Sequence, residues 1–518
     1  MNNLIPFKIP SILEDILKDL QEIGATPILV GGCVRDFFFD ISVKDYDIEI
    51  FGIDSLEIIQ KSLEKFGSVK LVGKSFGVLT LRVDEYDFDF ALPRTEEKIG
   101  LSHQDFLVTT NANLTFKEAA IRRDFTINAI GYDFCTKEFL DPFDGLNDLK
   151  NRVLRHIDDK TFVEDSLRVY RAIQFCARFH LNLDEKTFDL CKKIVQSNEL
   201  FFLPKERIYE EFKKLFLKSE KPSIGFELLK DLEVLKYFHE LEALIGCIQD
   251  PIYHPEGDVW IHTMMCLDEL ARILKEKNIE DEYKKLYLFY GILCHDFGKP
   301  FCTKEINGKI TSHKHEALGI EPTISFLSKL TNEKRFIEIV CSLVKNHLTP
   351  FQLYLSESSL KAIKRLSLKV NIEDLCLVCL ADCLGRTIKD KEKCPKATSW
   401  LLDKAKELDI HNEPIKPFVQ GKDLIELGFK PSKEFKEILD FAFDLQLDFH
   451  FGKNEIIEKI KDKYKIELGL CHINHMLRGE NSDGDEEFCK RLSQYCKIPF
   501  YSLRANIEAY GKEKKNWP

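Results

Sequence analysis

The sequence predicts a mixed α/β head over residues 1–150 followed by a mostly α-helical body, and three observations carry that expectation. Strand-like and helix-like apolar periods alternate up to about residue 150. Beyond that point nearly every apolar stretch repeats with a helical period. At 518 residues the chain is also too long for one hydrophobic core.

Taken in order, residues 11–23 read as an amphipathic helix with Ser11 at the N-cap. Strands are expected at 28–32, 46–51, 77–83, 86–91 and 129–133. The first runs Ile28-Leu29-Val30 into Gly31-Gly32, a turn where backbone can approach a phosphate closely. In Asp45-Tyr46-Asp47-Ile48-Glu49-Ile50, strict alternation puts the three acids on one strand face and the three apolar residues on the other. Two aspartates side by side repel unless a cation lies between them. Oxygen donors with no His or Cys nearby favour a hard ion, Mg²⁺. A lone Gly-Gly is usually only a turn and a lone D-x-D often a solvated face. Their combination with Arg35-Asp36 at this spacing is far more specific.

Helices are expected at 167–179, 185–197, 205–217, 260–275, 281–293, 316–330 and 334–346. The organisation that follows is a head at 1–150, a helical neck at 151–250, a helical domain at 251–390, a helical tail at 391–460 and a segment of different character at 461–518. The charged stretch 389–396 reads as an exposed linker.

Hydrophobic content of 44% with 31% charged residues is that of a soluble globular protein. A net charge of −11 argues against indiscriminate coating of nucleic acid, so an RNA site must be a local patch. Sixteen cysteines without paired spacing fit a reducing cytosol better than a disulfide framework. Cys376, Cys379 and Cys383 share a helical face, but Leu, Val and Ala surround them and no partner pair follows, so a zinc site is not expected there. With no secretory leader and no apolar run near the ~20 residues of a membrane span, a cytoplasmic protein without a membrane partner is expected.

Seven ordered segments resemble one family: GGCVRD at 31–36, DYD at 45–47, ALPRTEEK at 91–98, RRDFTINAI at 122–130, DPFDGLNDLKNRVLRHI at 141–157, EDSLR at 164–168 and ERIYEEFKKLF at 206–216. Over roughly residues 25–455 the chain is similar to the bacterial CCA-adding enzymes, the tRNA nucleotidyltransferases related to poly(A) polymerases. The resemblance implies a nucleotidyltransferase head and template-independent addition of C, C and A to tRNA 3′ ends from CTP and ATP, with pyrophosphate release. It implies Asp45 and Asp47 as catalytic ligands of Mg²⁺, and Gly32 and Arg35 at the triphosphate. Arg123 would bind nucleotide, Asp124 and Asn128 would orient the sugar and the neck, and Arg171 would meet the triphosphate. Some relatives carry an arginine where Gln174 stands. The partners implied are tRNA, ATP and CTP, and no DNA.

The resemblance implies that protein side chains take the place of a template at 164–171. If this segment opens a helix, Asp165 and Arg168 lie at i, i+3 and project side by side. A carboxylate accepts from an exocyclic amine while a guanidinium donates to ring acceptors. Such a pair reads the amino edge of cytosine or adenine; each unmatched buried group on uracil or guanine costs about 1–3 kcal/mol. The alternative for these two residues is a helix salt bridge with no ligand. For the whole chain the alternatives are a poly(A) polymerase, an A-adding or CC-adding specialist, or a tRNA-binding scaffold with an inactive head.

Downstream, His254 to His262, Cys294-His295-Asp296, Ser312 to Glu316, Asn346-His347 and Ala381-Asp382 follow the order of an HD phosphohydrolase domain. His262, His295, Asp296 and Asp382 supply mixed N/O ligands for a divalent metal. The resemblance to multifunctional CCA-adding enzymes implies Ni²⁺, Mn²⁺, Co²⁺ or Mg²⁺ there, with hydrolysis of 2′,3′-cyclic phosphates, 2′-nucleotides and phosphate monoesters. From about 466, the run Leu470-Cys-His-Ile-Asn-His475-Met-Leu-Arg478 resembles part of tRNA(Ile)-lysidine synthase. The chain holds no second Gly-Gly after 31–32, so the ATP loop of those synthases is missing and a truncated remnant without lysidine synthesis is expected.

Overall fold

The head grows around a strand that is apolar because it is covered on both faces. α1 (Ser11–Glu22) lays Leu13, Ile16, Leu17 and Leu20 into the core. Its first intrahelical bond runs from Glu14 N to the Pro10 carbonyl. Pro10 is therefore the N-cap, and Ser11 is the first helical residue rather than the cap the sequence suggested. β1 (Thr26–Val30) ends at Gly31, and α2 (Gly32–Phe37) begins at once. β2 (Asp45–Phe51), β3 (Val69–Val72), β4 (Val78–Val83), β5 (Tyr86–Ala91), β6 (Gly131–Asp133) and β7 (Glu138–Leu140) complete a seven-stranded sheet in the order β3-β4-β5-β2-β1-β6-β7. β2 runs antiparallel to β1, with Val30 opposite Asp47, and parallel to β5, with Asp47 opposite Asp89. The computed structural model describes residues 7–72, 77–98, 106–388, 391–449, 451–464 and 469–507.

The helices that position the sites are α3 (Arg168–Phe179), α4 (Lys205–Lys218), α5 (Val259–Glu276), α6 (Glu282–Cys294), α7 (Lys334–Asn346), α8 (Ile372–Leu384) and α9 (Lys393–Glu407). Each starts and stops within two residues of its expected span where one was expected. Phe216 of α4 stacks on Phe289 of α6 with ring centroids 5.0 Å apart, tying α4 to the helix that leads into His295. Such aromatic pairs contribute about 0.5–1.5 kcal/mol beyond their burial. Asp258, Asp281 and Asn371 cap α5, α6 and α8 by accepting from backbone N–H groups of the first turn.

Two expectations fail around α9. The stretch 393–396 is not a linker but the first turn of this helix, with Lys393 and Lys396 exposed (389 and 390 lie outside the described residues). Cys394, Ala397, Leu401 and Ala405 form a buried stripe that outweighs the flanking charges. That stripe packs α9 on α8, bringing Cys383 and Cys394 to a Cα separation of 5.7 Å, and the two form a disulfide that sequence spacing did not suggest. Cys376 donates to the Thr398 carbonyl, so the three cysteines of α8 do not converge.

The chain divides into two compact units, Met1–Ser358 with Leu366–Glu413, and Ser359–Arg365 with Pro414–Pro518. All the elements above belong to the first. In the second, Val419, Leu424, Ile438, Ala442, Leu445, Ile456 and Ile460 make a core of their own, between α10 (Lys433–Phe449), α11 (Lys453–Tyr464) and the preceding turn of helix. β8 (Leu470–Asn474) and β9 (Phe500–Arg504) follow as a parallel pair joined through α12 (Glu480–Cys496). Parallel sheets are ordinarily covered on both faces, yet Phe488, Tyr501 and Leu503 are each 60% or more exposed. The first residues of the lysidine-synthase-like segment, 466–468, and its end, 508–518, lie outside the described residues. No described helix is long and apolar enough to cross a membrane.

Candidate active site

Gly31 joins the strand to the site. Its φ of +71° and ψ of −130° suit glycine. A Cβ there would stand 3.2 Å from Arg123 Nη1 and 3.3 Å from Asp47 Oδ2. The missing side chain lets the turn close directly over the acid of the neighbouring strand. Along β2, Tyr46, Ile48 and Ile50 are buried while Asp45 and Asp47 are exposed, as alternation requires. Glu49 departs from its two companions: it is buried, and one oxygen accepts from Arg122 (2.7 Å) and Arg123 (2.9 Å). It anchors the two arginines. Crowding by protein atoms pushes the Asp47 carboxyl up; Arg123 opposes this, and Asp89, Glu49 and Asp45 add to it. A pocket of mutually repelling carboxylates open to solvent suits a small, hard cation.

Gly32, Arg35, Asp47, Arg123, Asp165, Arg168 and Arg171 line one cleft of about 500 Å³. Asp45 sits one pleat earlier on the same face of β2. Eight arginines and two lysines line this cleft against three aspartates, although the chain as a whole is acidic. Such a focus of positive charge suits polyanions. Sequence reasoning gave no role to Arg94, Arg122, Arg178, Arg207, Lys214 and Lys218, because isolated basic residues read as solvated side chains until packing brings them to one cleft.

Each arginine is held in place. Arg35 donates to Asn128 Oδ1 (2.7 Å) and to Asp36 (2.7 Å), with Phe175 and Phe179 about 5 Å from its guanidinium carbon. Asp124 is buried; it accepts from Asn128 Nδ2 and Phe125 N at 2.8 Å through one oxygen and from Arg171 Nε at 2.7 Å through the other. Burial alone would raise its carboxyl, but Arg171, Asn128 and Arg168 outweigh that and hold it below its ordinary value.

Asp165 and Arg168 share the cleft but not a helical turn. The Asp165 carboxylate accepts from Leu167 N at 3.1 Å, and Arg168 N bonds to the Asp165 carbonyl, so a turn precedes α3 and the helix opens only at Arg168. Nor do the two pair with each other. Asp165 accepts from Arg207 of α4 at 3.0 Å, while Arg168 donates to the carbonyls of Thr161 (2.7 Å) and Arg122 (2.6 Å). The helix salt bridge is thereby excluded. Gln174 also faces the cleft, buried, with no hydrogen bond to its Oε1.

A second cluster occupies the helices downstream, where all four expected residues are buried. His262 Nε2 lies 3.1 Å from Asp382 Oδ1 and 4.0 Å from Asp296 Oδ2, and His295 Nε2 lies 3.2 Å from Asp296 Oδ2. Two further residues, given no role by sequence reasoning, join them: His315 Nε2 is 3.3 Å from Asp296 Oδ1 and 3.2 Å from His347 Nε2. His295, His315 and His347 each turn Nδ1 to a backbone carbonyl at 2.6–2.8 Å, those of Ile292, Ser312 and Val344. A proton placed at each Nδ1 leaves Nε2 lone pairs converging on the acids, the arrangement metal-binding imidazoles show. Burial, with His295 and His315 alongside, pushes His347 down to about 3, so its ring is neutral at pH 7. Burial would raise Asp296, but His295, Lys299 and His315 hold it well below its ordinary value. Lys299 lies 2.7 Å from its Oδ2, and Arg386 donates to both oxygens of Asp382.

The mixed sheet, the glycine turn and the acid-bearing second strand define a nucleotidyltransferase of the poly(A) polymerase type. The family model described as "Poly A polymerase head domain" matches residues 28–155, and "Probable RNA and SrmB-binding site of polymerase A" matches 180–245. A "Multifunctional CCA protein" of Mannheimia succiniciproducens is 35% identical over 371 residues, 69% of this chain and 84% of that one. Its counterpart in Pseudoalteromonas atlantica is 33% identical over 416 residues, 78% of this chain and 94% of the other. The chain belongs to this family of CCA-adding tRNA nucleotidyltransferases. Among solved structures, a CCA-adding enzyme with ATP shares the fold at a TM-score of 0.57 and 20% identity, covering 88% of this chain and 97% of that one. The Thermotoga maritima CCA-adding enzyme complexed with tRNA does so at 0.53 and 21%, covering 88% and 96%.

Proposed function

We propose that this chain adds C, C and A in turn to tRNA 3′ ends, using CTP and ATP. The supporting observation is the single cationic cleft that holds Asp47 together with Asp165 and Arg168. In each step the 3′-hydroxyl oxygen of the tRNA bonds to the α-phosphorus, the bond from that phosphorus to pyrophosphate breaks, and the hydroxyl proton is lost to solvent. Asp45 and Asp47 would hold Mg²⁺, which when bound lowers the pKa of the hydroxyl and offsets charge on the α-phosphate. Arg35, Arg123 and Arg171 bind the triphosphate, and the Gly31-Gly32 turn keeps side chains out of its way. Asp165 accepts from the amino group of cytosine or adenine, and Arg168 donates to ring acceptors, each pre-set by bonds to protein that need not reorganise. Purified chain with CCA-less tRNA and all four triphosphates should yield ends of C, C and A. Tails of AMP alone and of indefinite length would overturn the reading in favour of a poly(A) polymerase.

A second activity is favoured by the buried histidines and acids. We infer a metal-dependent phosphohydrolase in the HD-like domain, with His262, His295, Asp296 and Asp382 holding a divalent ion and Asp296 turning its other oxygen to His315 and His347. A bound ion would polarise a phosphoryl oxygen and activate water, and Lys299 and Arg386 add positive charge for a phosphate. Hydrolysis of 2′,3′-cyclic AMP, lost in His295→Ala with nucleotide transfer intact, is the expected result. Unchanged hydrolysis in that variant would refute it.

A further inference from the structure

We infer that Cys266 supplies a thiolate ligand to the cation of the histidine–aspartate pocket, making it a sulfur-containing site for a borderline ion such as Co²⁺, Ni²⁺ or Zn²⁺ in preference to Mg²⁺. This rests on the reading above that the pocket binds a divalent ion, and goes beyond it in naming a ligand outside the histidine and aspartate set. Cys266 stands one helical turn after His262 on α5, so both side chains project from one face. Its Sγ lies 3.4 Å from His262 Nε2. One donor atom from each of His262, Cys266, His295 and Asp382 falls within 4.8 Å of the others, and all four residues are buried. Donors sharing a tetrahedral ion at bond lengths of about 2.0–2.3 Å stand about 3.3–3.6 Å apart. The sulfur stands 3.4 Å from His262 Nε2 and 3.7 Å from His262 Nδ1, over the face of the ring, so it reaches an ion on the Nε2 lone pair by turning about its own side-chain bond; the 3.1 Å from His262 Nε2 to Asp382 Oδ1 is slightly shorter than that range.

Two independent features point the same way. His295 Nε2 is buried and makes no hydrogen bond, so it has a lone pair with no protein donor. His262 Nδ1 lies 2.9 Å from the Glu256 carboxylate. A proton there leaves Nε2 unprotonated and 3.1 Å from Asp382 Oδ1, and electron-rich atoms this close call for a cation between them. The fold also brings a glycine against this sulfur. A Cβ on Gly385 would stand 2.5 Å from Cys266 Sγ and 2.9 Å from Cys266 N. Glycine at 385 thus brings α8, with Asp382, against α5 at the level of this thiol. The thiol donates to the Asp382 carbonyl at 3.7 Å. Coordination breaks the S–H bond, forms a sulfur–metal bond and releases the proton to solvent. Soft thiolate raises affinity for Co²⁺, Ni²⁺ and Zn²⁺ and does nothing for Mg²⁺.

The full chain loaded with Co²⁺ tests this by absorption and by bound-metal content after dialysis. The expected result is a near-ultraviolet sulfur-to-cobalt charge-transfer band, lost in both Cys266→Ser and Cys266→Ala, with far-ultraviolet circular dichroism unchanged. If Co²⁺ binds and is removed by His295→Ala, but the band is absent or survives loss of Cys266, the thiolate assignment is overturned while the metal pocket stands. If His295→Ala removes no Co²⁺, the pocket does not bind the ion, and both readings fall together.

Discussion

Asp124→Asn isolates one charge where the head meets α3. The carboxylate accepts from Asn128 and Phe125 N through Oδ1 and from Arg171 Nε through Oδ2. In asparagine the Oδ1 bonds survive, while the new amide nitrogen presents a donor to the Arg171 donor 2.7 Å away. One hydrogen bond to a charged group is lost, about 1.5–3 kcal/mol of stability. Arg171, released, should bind triphosphate less well: KM for both ATP and CTP should rise about tenfold, equivalent to about 1.4 kcal/mol, with the CTP to ATP preference unchanged. The folded pKa of Asp124 is depressed. Its contribution to stability is therefore fully present above the unfolded carboxylate value and lost as pH falls through the folded one. The gap in melting temperature between wild type and Asp124→Asn should be widest at neutral pH and close in acid. Steady-state incorporation on CCA-less tRNA and thermal melts across pH supply both readouts. Equal KM and equal melting at pH 7, or a change in base preference with unchanged KM, would refute the reasoning.

Other outcomes follow from the same geometry. Asp47→Asn keeps the shape of the site but halves its ligand charge, so nucleotide transfer should fall by orders of magnitude with cyclic-phosphate hydrolysis retained; substantial residual transfer would sink the metal assignment. Gly31→Ala places a methyl against Arg123 and Asp47 at a positive φ, a strain of about 1–3 kcal/mol, and should depress transfer without touching hydrolysis. Arg168→Ala removes the bonds to the carbonyls of Thr161 and Arg122 and should blur the choice among the four triphosphates more than it weakens tRNA binding, which competitive incorporation measures. Leu424→Ala in the fully buried core of the second unit should cost about 2–5 kcal/mol in that unit's own unfolding transition, with transfer by the head unaffected at low temperature.

Periodicity made the strand with Asp45 and Asp47 and the helices of the body legible in the residues alone, because alternation by two and recurrence by about 3.6 are local properties of backbone geometry. The order of motifs marked the glycine turn, the arginines and the histidines for the same reason: each lies within a few residues of a structural break. Placement across the chain was beyond that reach. Arg207 meets Asp165 and Glu49 holds Arg122 and Arg123 only because distant elements pack together. The same packing withdrew Asp165 from the helix, buried Cys394 in the charged first turn of α9, paired Cys383 with Cys394, and set Cys266 beside His262 and Asp382. Local sequence decides which face a side chain takes. Which partner awaits it there is settled by burial of apolar surface between elements far apart in the chain, an energy to which no short stretch of residues has access.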